Sequence, residues 1–226
     1  MNIIGIAPAL TSIQMLSKPV VAGTDQDLPG TQKAEDPGQA RAKAFYSREE
    51  EPWKGKTYFY SEFGGPKEER PLTKEMYLDD LKSFSNLELR IQQSIYARIV
   101  NELGVFRPDL ASKNFSYTLG DNAEIKILNP DRSLSESDLH DLEKIFNSHR
   151  KFKGSVSAYA KMAMTLVDHD DKAFGGKYKL DLSNIQNILD FGKLIMEKPQ
   201  GMGEALVRQV LEKGEKRDQA LVDVIV

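Results

Sequence analysis

The longest regular apolar pattern in this chain lies in residues 85–104, which read SNLELRIQQSIYARIVNELG. Five aliphatic side chains recur there at every fourth position: Leu87, Ile91, Ile95, Ile99 and Leu103. This is the spacing of one helix face. Ser85 followed by Glu88 has the form of a capping box at a helix start, and Gly104 is a typical stop. The pattern predicts a helix between Ser85 and Gly104, preceded by a short helix over 74–84.

The polar positions of this helix are expected to face solvent. They are Glu88, Arg90, Gln92, Gln93, Arg98 and Glu102. Helical patterns recur further along the chain, over 135–149, 156–167, 183–199 and 203–213. Ser135 and Asp138 form a second capping box at the start of the first of these. Gly192, on the packed face of the third, predicts that another backbone segment approaches closely.

Strand patterns are few. Residues 115–127 alternate apolar and polar side chains around Gly120-Asp121-Asn122, which predicts a β-hairpin packed against the helices. The apolar, β-prone residues 221–226 predict a further strand, or alternatively a free tail for capture by a peptide-binding domain. The sequence therefore predicts an α+β fold, mostly α, with five or six helices, one β-hairpin and a C-terminal strand.

The distribution of proline divides the chain into a proline-rich first part and a proline-poor second part. The first 71 residues hold seven of its ten prolines, and Pro-Gly and Gly-Gly-Pro steps punctuate residues 24–70. Such punctuation is typical of linkers, so little helix is expected there. We expect a largely disordered leader and linker over 1–70, followed by a single helical α+β domain over 71–226.

An aromatic island interrupts this linker. Its five members are Trp53, Tyr58, Phe59, Tyr60 and Phe63. So many aromatic rings are unusual in a solvated linker. Either the island docks on the folded domain, or it binds a partner as an aromatic anchor. These five residues are the candidate binding site.

Composition excludes several classes of function. The net charge of −3 leaves no basic surplus for a general nucleic-acid binder. The chain contains no cysteine, which excludes disulfides, thiolate metal sites and cysteine nucleophiles. No apolar run reaches the length of a transmembrane helix. We expect no cofactor and a protein partner, and the sequence leaves the oligomeric state open.

Asp168-His169-Asp170-Asp171 is the one dense cluster of metal-ligand types. Carboxylates with an imidazole suit a divalent cation, but Lys172 and Ala173 stand where a calcium-binding EF-hand loop needs an acid and a glycine. The alternative without a metal-binding role is a solvated turn before Gly175-Gly176. Because no nucleophile, phosphate-loop or zinc-protease motif occurs elsewhere, binding is favoured over catalysis.

The first 25 residues suggest how the protein is delivered. Ile3 and Ile4 stand near the start, and the first acidic residue is Asp25. A secretory signal peptide fits poorly, because no basic residue precedes the apolar positions and Pro8 interrupts them. This composition resembles the leaders of bacterial type III secreted effectors. The resemblance covers only this leader and implies secretion into a host cell, with a role in virulence. A terminus without any transport role is the alternative.

Three functions follow as hypotheses. The first is an exported bacterial effector that binds a host macromolecule. The second is an intracellular, cytoplasmic interaction or regulatory module without catalysis. The third is a metal-dependent hydrolase that uses the cluster at 168–171.

The delivery hypothesis predicts that residues 1–50, fused to a reporter, are exported only by bacteria with a working type III system. A leader that buries too little apolar surface to fold suits threading through a narrow channel. Export is measured as reporter activity in the medium of wild-type and secretion-deficient strains. Retention in both strains would contradict the hypothesis and favour the interaction module.

Overall fold

The computed structural model describes residues 36–62, 66–198 and 201–218, and all of these lie in one compact unit. The helices within these ranges are α1 (Pro37–Phe45), α2 (Lys74–Phe106), α3 (Pro108–Ala111), α4 (Glu136–Ser148), α5 (Arg150–His169), α6 (Asp171–Phe174), α7 (Ile185–Ile188), α8 (Phe191–Met196) and α9 (Met202–Lys213). The strands are β1 (Thr57–Tyr60), β2 (Glu68–Pro71), β3 (Ser116–Leu119), β4 (Ile125–Leu128), β5 (Tyr178–Lys179) and β6 (Glu215–Lys216).

The predicted α+β fold, mostly α, is confirmed. The strands pair antiparallel as β1 with β2, β3 with β4, and β5 with β6, so the described residues hold three small sheets where one hairpin was predicted. They also hold more helices than the predicted five or six, mainly because α3, α6, α7 and α8 span only four to six residues each. The strand predicted over 221–226 lies outside the described residues.

Helix α2 is continuous over 33 residues, where the sequence predicted two helices. The hydroxyl of Thr73 caps its start by accepting a hydrogen bond from the Met76 amide at 3.3 Å. The predicted cap at Ser85 is wrong: Ser85 is buried inside α2, and its hydroxyl donates to the Lys82 carbonyl at 2.8 Å. The predicted stop at Gly104 is also wrong. The helix ends at Phe106, because a residue that precedes a proline, here Arg107, is disfavoured in helical conformation.

The repeat in α2 does not mark one buried face. An i, i+4 step turns an α-helix by about 400°, so each step moves the side chain about 40° around the axis. Leu87 and Ile91 are consequently 52% and 39% exposed, whereas Ile99 and Leu103 lie in the core. Gln92, predicted to face solvent, is fully buried. The inward face of α2 is formed by Leu78, Ser85, Leu89, Gln92, Ile99 and Leu103.

The hairpin of β3 and β4 is confirmed, and α4 covers its outer edge with side-chain hydrogen bonds. The Asn147 side chain accepts from the Ile125 amide at 2.8 Å and donates to the Ile125 carbonyl at 2.9 Å. Glu143 accepts from the Ile127 amide at 3.2 Å. The predicted capping box of Ser135 and Asp138 starts α4. A two-stranded sheet is marginal in water, so this support stabilises it.

The core between α2, α5 and the hairpin is aromatic. Tyr117 on β3 contacts Phe146, Phe152 and Phe191 at ring-centroid distances of 6.3, 5.0 and 6.0 Å. Phe146 and Phe152, on α4 and α5, also contact each other at 5.4 Å. Each of these rings is fully buried. Aromatic pairs of this kind add stability beyond the area that they bury.

The helix predicted over 183–199 is broken into α7 and α8. Leu189 is extended, and Asp190 caps α8 by accepting from the Lys193 amide at 3.0 Å. Gln209 on α9 accepts from the Asp190 amide at 2.7 Å and donates to its carbonyl at 3.2 Å. These side-chain bonds replace the helical bonds that the break removes.

The segment before residue 71 contains regular structure where mostly linker was predicted. Helix α1 begins with Pro37 at its first turn, a position that tolerates proline because the amide there has no intrahelical partner. The β1–β2 hairpin follows, with Thr57 opposite Pro71. Phe45 and Tyr46 pack against the hydrophobic core. Residues 37–62 thus lie in the same compact unit as the helices that follow.

The close approach predicted at Gly192 generates a stability test. A Cβ atom at this position would lie 2.1 Å from the Ser116 Oγ and 3.3 Å from the Ser116 Cα. We expect Gly192→Ala to lower the free energy of unfolding by about 1–3 kcal/mol through overpacking. Urea unfolding followed by circular dichroism measures the change.

Gly154→Ala is the matched control, because a Cβ at Gly154 in α5 would meet no atom within 4 Å. We expect that variant to gain about 0.5–1 kcal/mol, since alanine is favoured over glycine inside a helix. Equal effects of the two substitutions would show that crowding against Ser116 does not constrain Gly192.

Candidate functional site

Some rings of the aromatic island pack against the fold, and others are exposed to solvent. Trp53 is half-buried, with its ring 5.4 Å from that of His169 on α5 and 6.2 Å from that of Tyr77 on α2. Tyr58 and Tyr60 are half-buried in β1, whereas Phe59 between them is 72% exposed. Phe63 lies outside the described residues. The rings described therefore do not form one continuous exposed patch.

The cluster at 168–171 is held by structural contacts that the sequence did not indicate. Asp168 is buried and accepts hydrogen bonds from the Tyr46 hydroxyl, at 2.7 Å, and from the Arg217 guanidinium. Burial, followed by the charge of Asp168, raises the pKa of the Tyr46 hydroxyl. His169 is buried and packs its ring edge-to-face with Trp53. These contacts join α1 and the aromatic island to the end of α5.

The other two carboxylates of the cluster point to different partners. Asp170 caps α6 by accepting from the Ala173 amide at 3.2 Å, and it pairs with Lys82 at 2.9 Å. Asp171 pairs with Lys74 at 2.8 Å. Among the described residues, no group of three or more His, Cys, Asp or Glu side chains could hold a metal ion. The structure thus uses Asp168, Asp170 and Asp171 to connect elements.

A groove of about 710 Å³ lies between α2 and α9, with α5 and α6 at its floor. The side chains that line it are mostly apolar in contact area. They are Lys82, Ser85, Asn86, Tyr159, Leu166, Asp170, Ala173, Phe174, Gly203, Glu204, Leu206, Val207, Arg208, Leu211 and Glu212. Leu211 is 47% exposed, so the groove presents apolar surface to solvent.

Charged side chains surround the groove unevenly. Each of its cations already has a carboxylate partner: Lys82 pairs with Asp170 at 2.9 Å, and Arg208 pairs with Glu197 at 2.6 Å. Glu204 and Glu212, both exposed on α9, have no ion pair with any described residue. The rim therefore carries two carboxylates that form no ion pair within the described residues, with Arg208 one helical turn from each of them.

Tyr159 supplies a polar group at the groove floor. It is 1% exposed, and its ring packs edge-to-face with Phe191 at 5.6 Å. Burial alone raises the pKa of its hydroxyl, and within the described ranges no side chain or backbone group bonds to that hydroxyl. Because the hydroxyl oxygen is not among the fully enclosed polar atoms that lack a partner, it reaches the solvent of the groove, where water or a ligand can bond to it.

The sequence of α9 contains one signal for the groove, which is the width of its apolar stripe. The apolar stripe of α9 is wider than the core requires, because Leu206 and Val210 are buried while Val207 is half-buried and Leu211 is half-exposed. An apolar stripe that extends beyond the buried face indicates a second contact surface.

The fold and the groove define a small helical α+β protein with an open, largely apolar groove on its surface. No family model, curated protein or solved structure matches the chain. Within the described residues, no helix has both the length and the apolar character needed to cross a membrane.

The contacts of the buried Asp168 carboxylate predict losses of different size in the free energy of unfolding. Asp168→Asn removes the counter-charge of Arg217, whose side chain is only 19% exposed. We expect a loss of about 3 kcal/mol in the free energy of unfolding, because breaking a buried pair leaves an uncompensated charge. Tyr46→Phe removes one hydrogen bond and should cost about 1–2 kcal/mol. Urea unfolding measures both.

Asp171→Asn makes the same chemical change beside Asp168 but at a more exposed ion pair, and it should cost less than about 1 kcal/mol. A loss at Asp171 equal to that at Asp168 would contradict the importance of the Tyr46–Asp168–Arg217 contact.

Proposed function

We propose that this protein is a binding protein that takes the apolar face of a partner helix in the groove between α2 and α9. The observation that carries this proposal is the groove itself, about 710 Å³ in volume and mostly apolar in its lining. Binding pockets of proteins commonly have volumes of about 300–1,000 Å³ and combine an apolar lining with a few polar groups. The groove has both properties.

The length of α9 allows an elongated ligand in the groove. Its outer wall is α9, which has 12 residues and is therefore about 18 Å long. A helix of similar length can lie along α9 and place side chains at positions i, i+3, i+4 and i+7 in the groove. The partner thus receives apolar contact from the α9 wall and the floor, opposite the polar Lys82, Ser85 and Asn86 of α2.

The exposed part of Leu211 makes binding favourable. Fully burying a leucine side chain contributes about 1.5–3 kcal/mol. Leu211 is about half-exposed, and Val207 one turn earlier is half-buried, so both can bury further area against a partner. The binding free energy is expected to depend on these two side chains.

Two of the hypotheses from the sequence are compatible with this proposal. An exported effector and an intracellular interaction module both act by binding, and the groove supports either. Delivery by a type III system depends on residues 1–25, outside the described residues, and stays a prediction. The metal-dependent hydrolase gains no support from the described residues, because Asp168, Asp170 and Asp171 each bind a different side chain of the protein.

A designed neutral helix of about 16 residues, with leucine on one face and glutamine on the other, provides the test. We expect it to bind the full chain, as measured by fluorescence anisotropy of the labelled peptide. Leu211→Asp should weaken this binding at least tenfold, because a loss of about 1.4 kcal/mol corresponds to a factor of ten.

The matched control is Leu87→Asp. Leu87 is 52% exposed on α2, close to the exposure of Leu211, but it does not line the groove. We expect this variant to bind within about twofold of the unsubstituted chain, since surface substitutions away from a contact change little. Equal losses in both variants, or no binding of the peptide to the unsubstituted chain, would refute the proposal.

A further inference from the structure

We propose that the helix bound in the groove is basic: it carries lysine or arginine side chains that face Glu204 and Glu212, and a hydrogen-bond acceptor that faces Tyr159. This inference rests on the proposed function and specifies the chemistry of the partner. Three features of the groove support it, namely its unpaired carboxylates, their spacing along α9, and the Tyr159 hydroxyl that opens into its floor.

The charges of the groove discriminate between basic and acidic partners. Lys82 and Arg208 are already paired with Asp170 and Glu197, so an acidic partner would have to compete with these carboxylates. Glu204 and Glu212 have no ion pair with any residue in the described ranges, and Arg208, one turn from each, pairs with Glu197 instead, so a basic partner can bind both carboxylates without breaking an ion pair. Complementary charge at the rim of an interface selects partners and accelerates association.

The positions of the two carboxylates define a spacing. Glu204 and Glu212 are eight residues apart on α9, which corresponds to about 12 Å along the helix axis. A partner helix packed along α9 would reach both with basic side chains seven or eight residues apart. The apolar residues Val207 and Leu211 lie between the two charges in sequence and contact the intervening face of the partner.

Tyr159 adds an independent requirement. Its side chain is 1% exposed and lines the groove, yet no described group bonds to its hydroxyl. An acceptor on the apolar face of the partner, such as an asparagine side chain, would satisfy this donor. A leucine at the same position would leave the hydroxyl without a partner, and buried polar groups are normally paired.

Three designed helices test the charge requirement. They share the leucine face of the neutral probe and differ only in the two residues that flank it, which are lysine, glutamine or glutamate, placed seven residues apart. We expect the lysine peptide to bind the full chain about tenfold more tightly than the glutamate peptide at low salt, with the glutamine peptide between them. At 0.5 M NaCl the difference should fall to about twofold, because salt screens exposed charges.

A double variant assigns the effect to the groove. Glu204→Gln/Glu212→Gln should remove the preference for lysine and leave binding of the glutamine peptide within about twofold. The control Glu102→Gln/Glu136→Gln changes the net charge equally at exposed sites outside the groove, and it should keep the preference. Equal binding of all three peptides, or a preference that persists in the first double variant, would overturn the inference while leaving the proposed function intact.

Tyr159→Phe tests the second requirement without changing the shape of the ring. We expect it to weaken binding of a lysine peptide with one central Leu→Asn substitution about three- to tenfold, the equivalent of one hydrogen bond. Binding of the all-leucine peptide should stay within about twofold. Equal effects on both peptides would remove Tyr159 from the recognition of the partner.

Other occupants give different results in the same assay. Tighter binding of dodecanoate or of the glutamate peptide would identify an anionic amphiphile and overturn the inference. Self-association of the chain that Leu211→Asp abolishes, measured by sedimentation, would identify a second copy as the occupant and overturn it as well.

Discussion

Gln92 joins α2, α5 and β3 at the centre of the core. Its side-chain amide is fully buried, donates to the Ser155 carbonyl at 3.3 Å and accepts from the Tyr117 hydroxyl at 3.1 Å. A buried amide that loses a partner costs about 1–3 kcal/mol, so these bonds fix the position of α2 along α5. Tyr159 lies one helical turn after Ser155 on α5. The contact that fixes the helix pair therefore also fixes the floor of the groove.

Local chemistry predicted those features that depend on neighbouring residues. The hairpin of β3 and β4, the capping box at Ser135 and the close approach at Gly192 each follow from turn geometry, caps or side-chain size, and all three are present. The cap at Ser85 was wrong because Ser85 lies on the packed face of α2, and tertiary packing overrides local signals. The stop at Gly104 was wrong because the helix runs on through the exposed Val105 and Phe106 and ends just before Pro108. The buried position of Gln92 depends on Ser155 and Tyr117, which are remote in sequence.

The role of the candidate metal cluster at 168–171 depends on contacts with residues that are distant in sequence, which no local sequence pattern can predict. Asp168 to Asp171 looked like a ligand cluster because four polar side chains adjoin in sequence, but successive residues of a helix end project in different directions. Asp168 bonds to Arg217 and Tyr46, which are 49 and 122 residues away in sequence. Asp170 pairs with Lys82, which lies on α2 at a wall of the groove. Spatial partners, rather than sequence density, decide what such a cluster does.

The groove exists because small or polar side chains stand where larger ones would close it. Ser85 is 4% exposed on the inward face of α2, and its hydroxyl is satisfied within its own helix by the Lys82 carbonyl. Ala173 on α6 and Gly203 on α9 line the same space. Unfilled space beside a core costs stability, since packing contacts are lost there. Departures of this kind from optimal packing are expected at functional sites, and here they lie beside the Tyr159 hydroxyl, which opens into the groove. The small lining side chains and the accessible hydroxyl of Tyr159 together favour binding as the reason that the groove stays open.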